Sequence, residues 1–250
     1  MINGKALIDR FEAEMAKVQR PGMDKLMAYI RKSDFYRAPA STKYHLSCEH
    51  GLLQHSLNVL DALRGMLIMN AEGKWEYRVA EQVVDTLDDE NVIIMALLHD
   101  LCKTYFYNTS TRNAKNEKTG KWEKIPYFTV KDRMPLGHGC KSAMLAMQYI
   151  ELTNKEMYGI WWHMGYTDGQ DVMALNNAID QYPIIWALHT ADMMASRMME
   201  ADADNVEKFR QLEKHELYDL QCPPDLEEEE EEYDGSFQEA LPYDTAPEGE

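Results

Sequence analysis

Apolar residues recur at helical spacing through most of the first 200 positions. Residues 5–18 and 22–32 mix apolar and charged positions as amphipathic helices do, with a break at Arg20-Pro21-Gly22. Leu52, Leu53, Leu57, Leu60, Leu63 and Leu67 keep a period near 3.6, which predicts a helix from Leu52 to Met69. Residues 78–88 predict another. Residues 91–104 contain "VIIMALL", apolar on nearly every side, and predict a helix at the centre of the fold. Residues 105–131 depart from this rhythm. There "YFY" and "YFTV" flank a polar middle containing "KTGKW", the pattern of a β-hairpin inserted between helices. Helical patterns resume near 138–151, 153–164, 171–180 and 183–200. The whole predicts an all-α helical bundle with a β-hairpin insert at about 105–131.

Charge divides the chain in two. Of a net −17, the segment from Pro223 onward carries 12 acidic residues and no basic ones, which leaves −5 for residues 1–222. Six consecutive glutamates repel one another, and little apolar surface is present to offset the entropy of ordering. Residues 223–250 are therefore expected to form a disordered acidic tail: a solubilising segment, a docking segment for a basic partner, or a mimic of nucleic acid. Residues 1–222 are expected to form one domain. Its mild acidity argues against broad nucleic-acid binding but not against a small phosphorylated ligand in a cleft. Cys48, Cys102, Cys140 and Cys222 lack CxxC spacing, so neither a disulfide framework nor a cysteine zinc site is expected. With no continuous apolar run at the start and no stretch of about 18 apolar residues, neither a signal peptide nor a membrane span is expected, and a cytoplasmic location fits.

Candidate chemistry lies in "ALLHDLCK", where His99 and Asp100 follow an apolar run that should be buried. Burying an unpaired charge is costly. His55, His138, His163 and Asp192 raise the same difficulty on four other segments. One such residue is easily satisfied by a local hydrogen bond. Six on five segments would each need a separate buried partner, whereas shared cations satisfy them together, because imidazole and carboxylate are ligands of first-row metals.

The stretches "GLLQHSLNV" and "ALLHDLCK", followed by Asp192, resemble the HD superfamily of metal-dependent phosphohydrolases over roughly residues 45–200. His138 and His163 match its six-ligand, dinuclear subset, with motif text most similar to the HD 3′–5′ exoribonuclease-like group. The resemblance implies an HD-domain helical bundle. It implies two divalent ions, Mn or Fe first, with Co, Ni or Mg as alternatives. His55, His99, Asp100 and Asp192 would hold one ion, His138 and His163 the other, and Asp100 would bridge them. Lys103, one turn after Asp100, would contact phosphate. The activity implied is phosphohydrolase or phosphodiesterase cleavage of a nucleotide or short oligonucleotide by a dinuclear metal-hydroxide mechanism. Alternatives are a 3′–5′ exonuclease on single-stranded RNA or DNA, a mononuclear enzyme, or a non-catalytic nucleotide-binding or partner-docking protein. The hairpin insert departs from the minimal domain, and His50 stands where relatives often have glycine.

Several weaker signals stay open. His189, three residues before Asp192, reads as a group beside the ligands or as core. Tyr44, His45 and His50 line a substrate mouth or belong to an ordinary loop. Trp161 and Trp162 read as core ahead of a base-stacking surface. Lys115, Lys118, Lys121 and Lys124 beside Trp122 form a solvated hairpin tip or a single-strand platform.

Overall fold

Most of the helical periods become helices. The computed structural model describes residues 3–200 apart from 117, 118, 135, 169 and 170. Among them are eight α-helices and two small antiparallel sheets. Helices α1 (Gly4–Met15) and α2 (Met23–Lys32) lead to a long loop and then α3 (Gly51–Met66). A short sheet follows, with β1 (Leu67–Met69), β2 (Trp75–Val79) and β3 (Gln82–Leu87). Helix α4 (Asp89–Leu98) precedes a two-stranded ribbon of β4 (Tyr107–Lys115) and β5 (Trp122–Val130). The chain continues through α5 (His138–Met147), α6 (Asn154–Trp162), α7 (Val172–Gln181) and α8 (Ile184–Met194), with a π-turn over Ala195–Met199.

Helix α4 is the axis of the fold. Every residue from Val92 to Leu98 is buried, so no face is left to carry charge. A capping box between Asp88 and Asn91 satisfies its first free amides. The helix stops where the ionisable pair begins. Asp100 leaves helical geometry at φ −107° and ψ 20°, and Leu101–Lys103 form a single 3-10 turn. The expected helix over 91–104 is thus shorter, and its end aims both side chains of the pair.

Two close approaches explain glycines beside histidines. A Cβ on Gly139 would lie 2.1 Å from the Trp161 carbonyl oxygen, so only glycine lets α5 start against α6. A Cβ on Gly51 would lie 2.1 Å from the Leu46 oxygen, where the 38–50 loop folds over the start of α3. His50 caps that helix at φ 65°, a left-handed conformation that favours glycine.

Three expectations need correction. The helix expected from Leu52 to Met69 ends at Met66, and Leu67–Met69 form β1. The fold is mostly helical rather than purely α, since it carries a second sheet besides the inserted hairpin. Residues 78–88 are not a helix: residues 78–87 fall in β2, β3 and the turn between them, and Asp88 caps α4. Ala80 and Glu81 both adopt positive φ, at 47° and 67°, and close the strands in two residues. Such turns usually carry Asn-Gly; Ala-Glu gives no such signal, and the valines and tyrosine around it fit either period. The sheet earns its place by burial at one end, where Trp75 faces Leu87 and its indole donates to Asp89 at 2.8 Å.

No helix among the described residues is long and apolar enough to cross a membrane. Cys48, Cys102 and Cys140 are free. The acidic tail, Cys222, the boundary at 222–223 and Lys118 lie outside the described residues.

Candidate metal centre

The ends of four helices and one helix interior deliver the site. His55 comes from the middle of α3, His99 and Asp100 from just beyond α4, His138 from the first residue of α5, His163 from just beyond α6, and Asp192 from the last turn of α8. The structure brings all six together. His55, His99, Asp100 and His163 are at most 2% exposed. One set of ligand atoms groups His55, His99 and Asp192; a second groups His99, Asp100 and His163; a third groups Asp100, Cys102 and His138.

Asp100 stands between two pairs of imidazoles. Its Oδ2 lies 3.6 Å from His55 Nε2 and 3.4 Å from His99 Nε2. Its Oδ1 lies 2.5 Å from His138 Nε2 and 3.9 Å from His163 Nε2. Asp192 Oδ1 is 3.2 Å from His55 Nε2.

The donor chemistry fits cations. His99 Nδ1 donates to the Ala96 carbonyl at 2.8 Å, and His163 Nδ1 donates to the Ile160 carbonyl at 2.6 Å. Each ring then presents the lone pair of Nε2 to the cluster. Buried His163 Nε2 has no hydrogen-bond partner. Two imidazole Nε2 atoms, of His55 and His99, face each other at 3.3 Å. Several imidazole nitrogens thus surround one space beside two carboxylates, and both are ligand types of first-row metal ions.

Charge tells the same story. Burial, with His99 and His138 adding to it, pushes His163 down to about 3, so this ring stays neutral. Burial also pulls on His55 and His138, but carboxylates win at both. Asp192 and Glu200 hold His55 up to about 9, and Asp100 holds His138 up to about 10. Asp100 is held well below the usual carboxylate range despite burial, by Lys103, His99 and His138. Without a metal the carboxylates thus draw protons onto their histidines. Were His55, His99, Asp100, His138, His163 and Asp192 to hold a cation, its charge would replace those protons.

Lys103 is placed by its 3-10 turn, which aligns residues three apart. Its Nζ donates to Asp100 Oδ2 at 2.7 Å and to the Ala40 carbonyl at 2.6 Å. It also lines a cavity of about 280 Å³ over the cluster, together with Tyr44, His45, Met164, Met193 and Arg197. A larger depression, of about 870 Å³, runs beside Arg20 and Met147–Thr153. It holds no histidine cluster, and Arg20 is already committed to Glu90 and Glu156.

Of the weaker signals, His45 and Tyr44 line this cavity, while His50 instead donates from Nδ1 to the Tyr36 carbonyl at 2.6 Å. His189 donates to the His163 carbonyl at 2.7 Å and lies against Trp186. Trp162 is 8% exposed and packs with Leu175 and Ile185 as core.

Glu200 is a site residue that sequence reasoning missed. Its carboxylate accepts from His55 Nδ1 at 2.9 Å, from His45 Nδ1 at 2.5 Å and from Asn58 Nδ2 at 2.9 Å. A carboxylate behind a ligating imidazole fixes its tautomer and raises its basicity. Glu200→Gln is expected to weaken metal affinity roughly 10- to 100-fold, read by titrating the apo protein with Mn²⁺. Unchanged affinity would remove Glu200 from the site. No known family pattern, curated protein or solved structure matches the chain at a significant level.

Proposed function

We propose that the protein is a metal-dependent phosphohydrolase of the HD kind, cleaving phosphoester bonds of a nucleotide or short oligonucleotide. One observation carries the reading: imidazole nitrogens on four elements converge on the two oxygens of Asp100, and the buried His163 Nε2 has no hydrogen-bond partner among the described residues. His55, His99 and Asp192 would hold one divalent ion, His138 and His163 a second, and Asp100 would serve both. Such ions, of the Mn or Fe type, supply Lewis acidity to water and to phosphoryl oxygens.

The remaining chemistry belongs to the chain. The donor set contributes only two carboxylate charges against four neutral rings, so a loaded site keeps positive charge and attracts phosphate. Lys103 lines the cavity, with most of its side chain covered. It exchanges the Ala40 carbonyl for a non-bridging phosphate oxygen and stabilises charge that grows there in the transition state. Asp192 and Asp100 fix the facing rings, and His189 pins the backbone of His163 from behind. Arg197 at the rim offers a further cation. At about 280 Å³ the cavity is at the small end for ligand sites. It suits one nucleotide unit and excludes a duplex.

The test is a panel of nucleotides and one labelled oligonucleotide, incubated with the full chain and Mn²⁺, with metal content measured in parallel. Product release that requires Mn²⁺ and stops with chelator is expected. A metal-loaded protein that turns over nothing in the panel would refute the assignment.

A further inference from the structure

The β4–β5 ribbon is longer than the fold requires. Its strands pair across nine opposed positions, from Tyr107↔Val130 to Lys115↔Trp122. At about 3.3 Å per residue the ribbon runs close to 30 Å. Its base is anchored: Tyr107 packs against the core, with Phe128 beside it at 6.4 Å. Beyond the base most positions are exposed. An isolated two-stranded hairpin is marginal in water, and two helices can be joined by a few residues. Burial does not account for the arm.

Its chemistry is distinctive. Residues 107–131 hold six Lys or Arg and two Glu, in a chain of net −17. Opposed residues of an antiparallel pair share a face, and faces alternate along each strand. The register therefore sets Tyr107 and Phe128 on the same face as Lys115, Trp122 and Lys124. This face begins at the candidate site. The Tyr107 hydroxyl donates at 3.0 Å to the Ala40 carbonyl, the same oxygen that accepts from Lys103. At the other end Trp122 is 71% exposed. Lysines alone would guard the ribbon's open edges against pairing with other strands. An exposed indole between them works against that purpose and suits a flat, apolar, anionic ligand.

We propose that this face is a track for single-stranded nucleic acid, with a base stacked on Trp122, phosphates on Lys115 and Lys124, and the strand's end delivered to Lys103. The delivery step rests on the phosphohydrolase reading; the binding step does not. Exposed bases explain the preference for a single strand, since stacking on an aromatic requires an unpaired face.

The test uses the full chain in chelator, so that nothing is cleaved, and a short fluorescein-labelled oligouridylate read by anisotropy. Trp122→Ala is expected to weaken binding roughly 10-fold, with Trp122→Phe recovering most of it. The Lys115→Ala/Lys124→Ala pair should reduce the salt dependence of log K by roughly 1.4. Binding within twofold of the parent in Trp122→Ala, or a preference for duplex, would overturn the track. Hydrolysis of bis(p-nitrophenyl) phosphate with Mn²⁺ separates the two readings, because that small diester needs no ribbon. Strand binding that depends on Trp122, with no diester hydrolysis, keeps the track and sinks the hydrolase. Diester hydrolysis with strand affinity untouched by ribbon variants does the reverse.

Discussion

Asp100→Ala is expected to lose bound metal and all detectable phosphoester hydrolysis together. Asp100 sets one carboxylate oxygen toward each half of the cluster. Its Oδ2 faces His55 and His99, and its Oδ1 faces His138 and His163, at 2.5 to 3.9 Å. Truncation would leave four rings around a void and remove one of two carboxylates that neutralise divalent charge. It would also strip Lys103 of its ion pair at a position where the lysine side chain is only 11% exposed. A buried cation without its partner is itself destabilising by about 3–5 kcal/mol, so Asp100→Asn is the companion variant. It keeps volume and one oxygen while removing the charge. Metal content by elemental analysis and turnover of the best substrate decide the matter. If Asp100→Asn is folded by circular dichroism, holds metal at the parent level and hydrolyses at the parent rate, Asp100 does not bridge the site.

How much of this could be read from the chain depends on whether a signal was local. "VIIMALL" reports its burial directly, because a helix apolar on every side has nowhere else to go. The ribbon is legible because aromatic and β-branched residues bracket a polar turn containing Gly120. His55, His99, Asp100, His138, His163 and Asp192 are legible as a set, since each is a polar residue in an apolar setting. The β2–β3 hairpin is not, because Ala80 and Glu81 reach left-handed geometry without the residues that usually announce it. Glu200 is hidden for another reason. It follows "MMASRMM", where a helix of ordinary pitch was expected to continue, and a glutamate after the last apolar residue is usually solvated. The π-turn over Ala195–Met199 changes the pitch, with the Glu200 amide donating to the Ala195 carbonyl at 3.0 Å. Inserted turns of this kind recur at functional sites. Here the turn ends with the carboxylate behind His55.

The scaffold that aims these ligands should fail at a single carboxylate far from them. Glu156 is completely buried in the first turn of α6. It accepts from Arg20 at 2.9 and 3.0 Å, from Asn91 Nδ2 at 2.9 Å and from the Thr153 amide at 2.8 Å. Those partners join the α1–α2 connection, the start of α4 and the cap of α6. Helices α4 and α6 carry ligands just past their opposite ends, at His99, Asp100 and His163, so the Glu156 network sets the relative position of two of the site's main supports. Glu156→Ala leaves Arg20 partly buried with only Glu90 as a counterion, at 3.1 Å, and opens the capping box as well. Breaking a buried pair from one side costs about 3–5 kcal/mol. For a domain of this size that corresponds to a fall in Tm of roughly 6–20 °C. Thermal melts of the apo protein measure it without any contribution from metal. Arg20→Ala should lose a similar amount, and the double variant should lose less than the sum, because the two changes remove one shared network. Additive losses, or a Glu156→Ala melt that coincides with the parent, would mean that α4 and α6 are aligned by apolar packing alone and that the site's geometry does not depend on this charge.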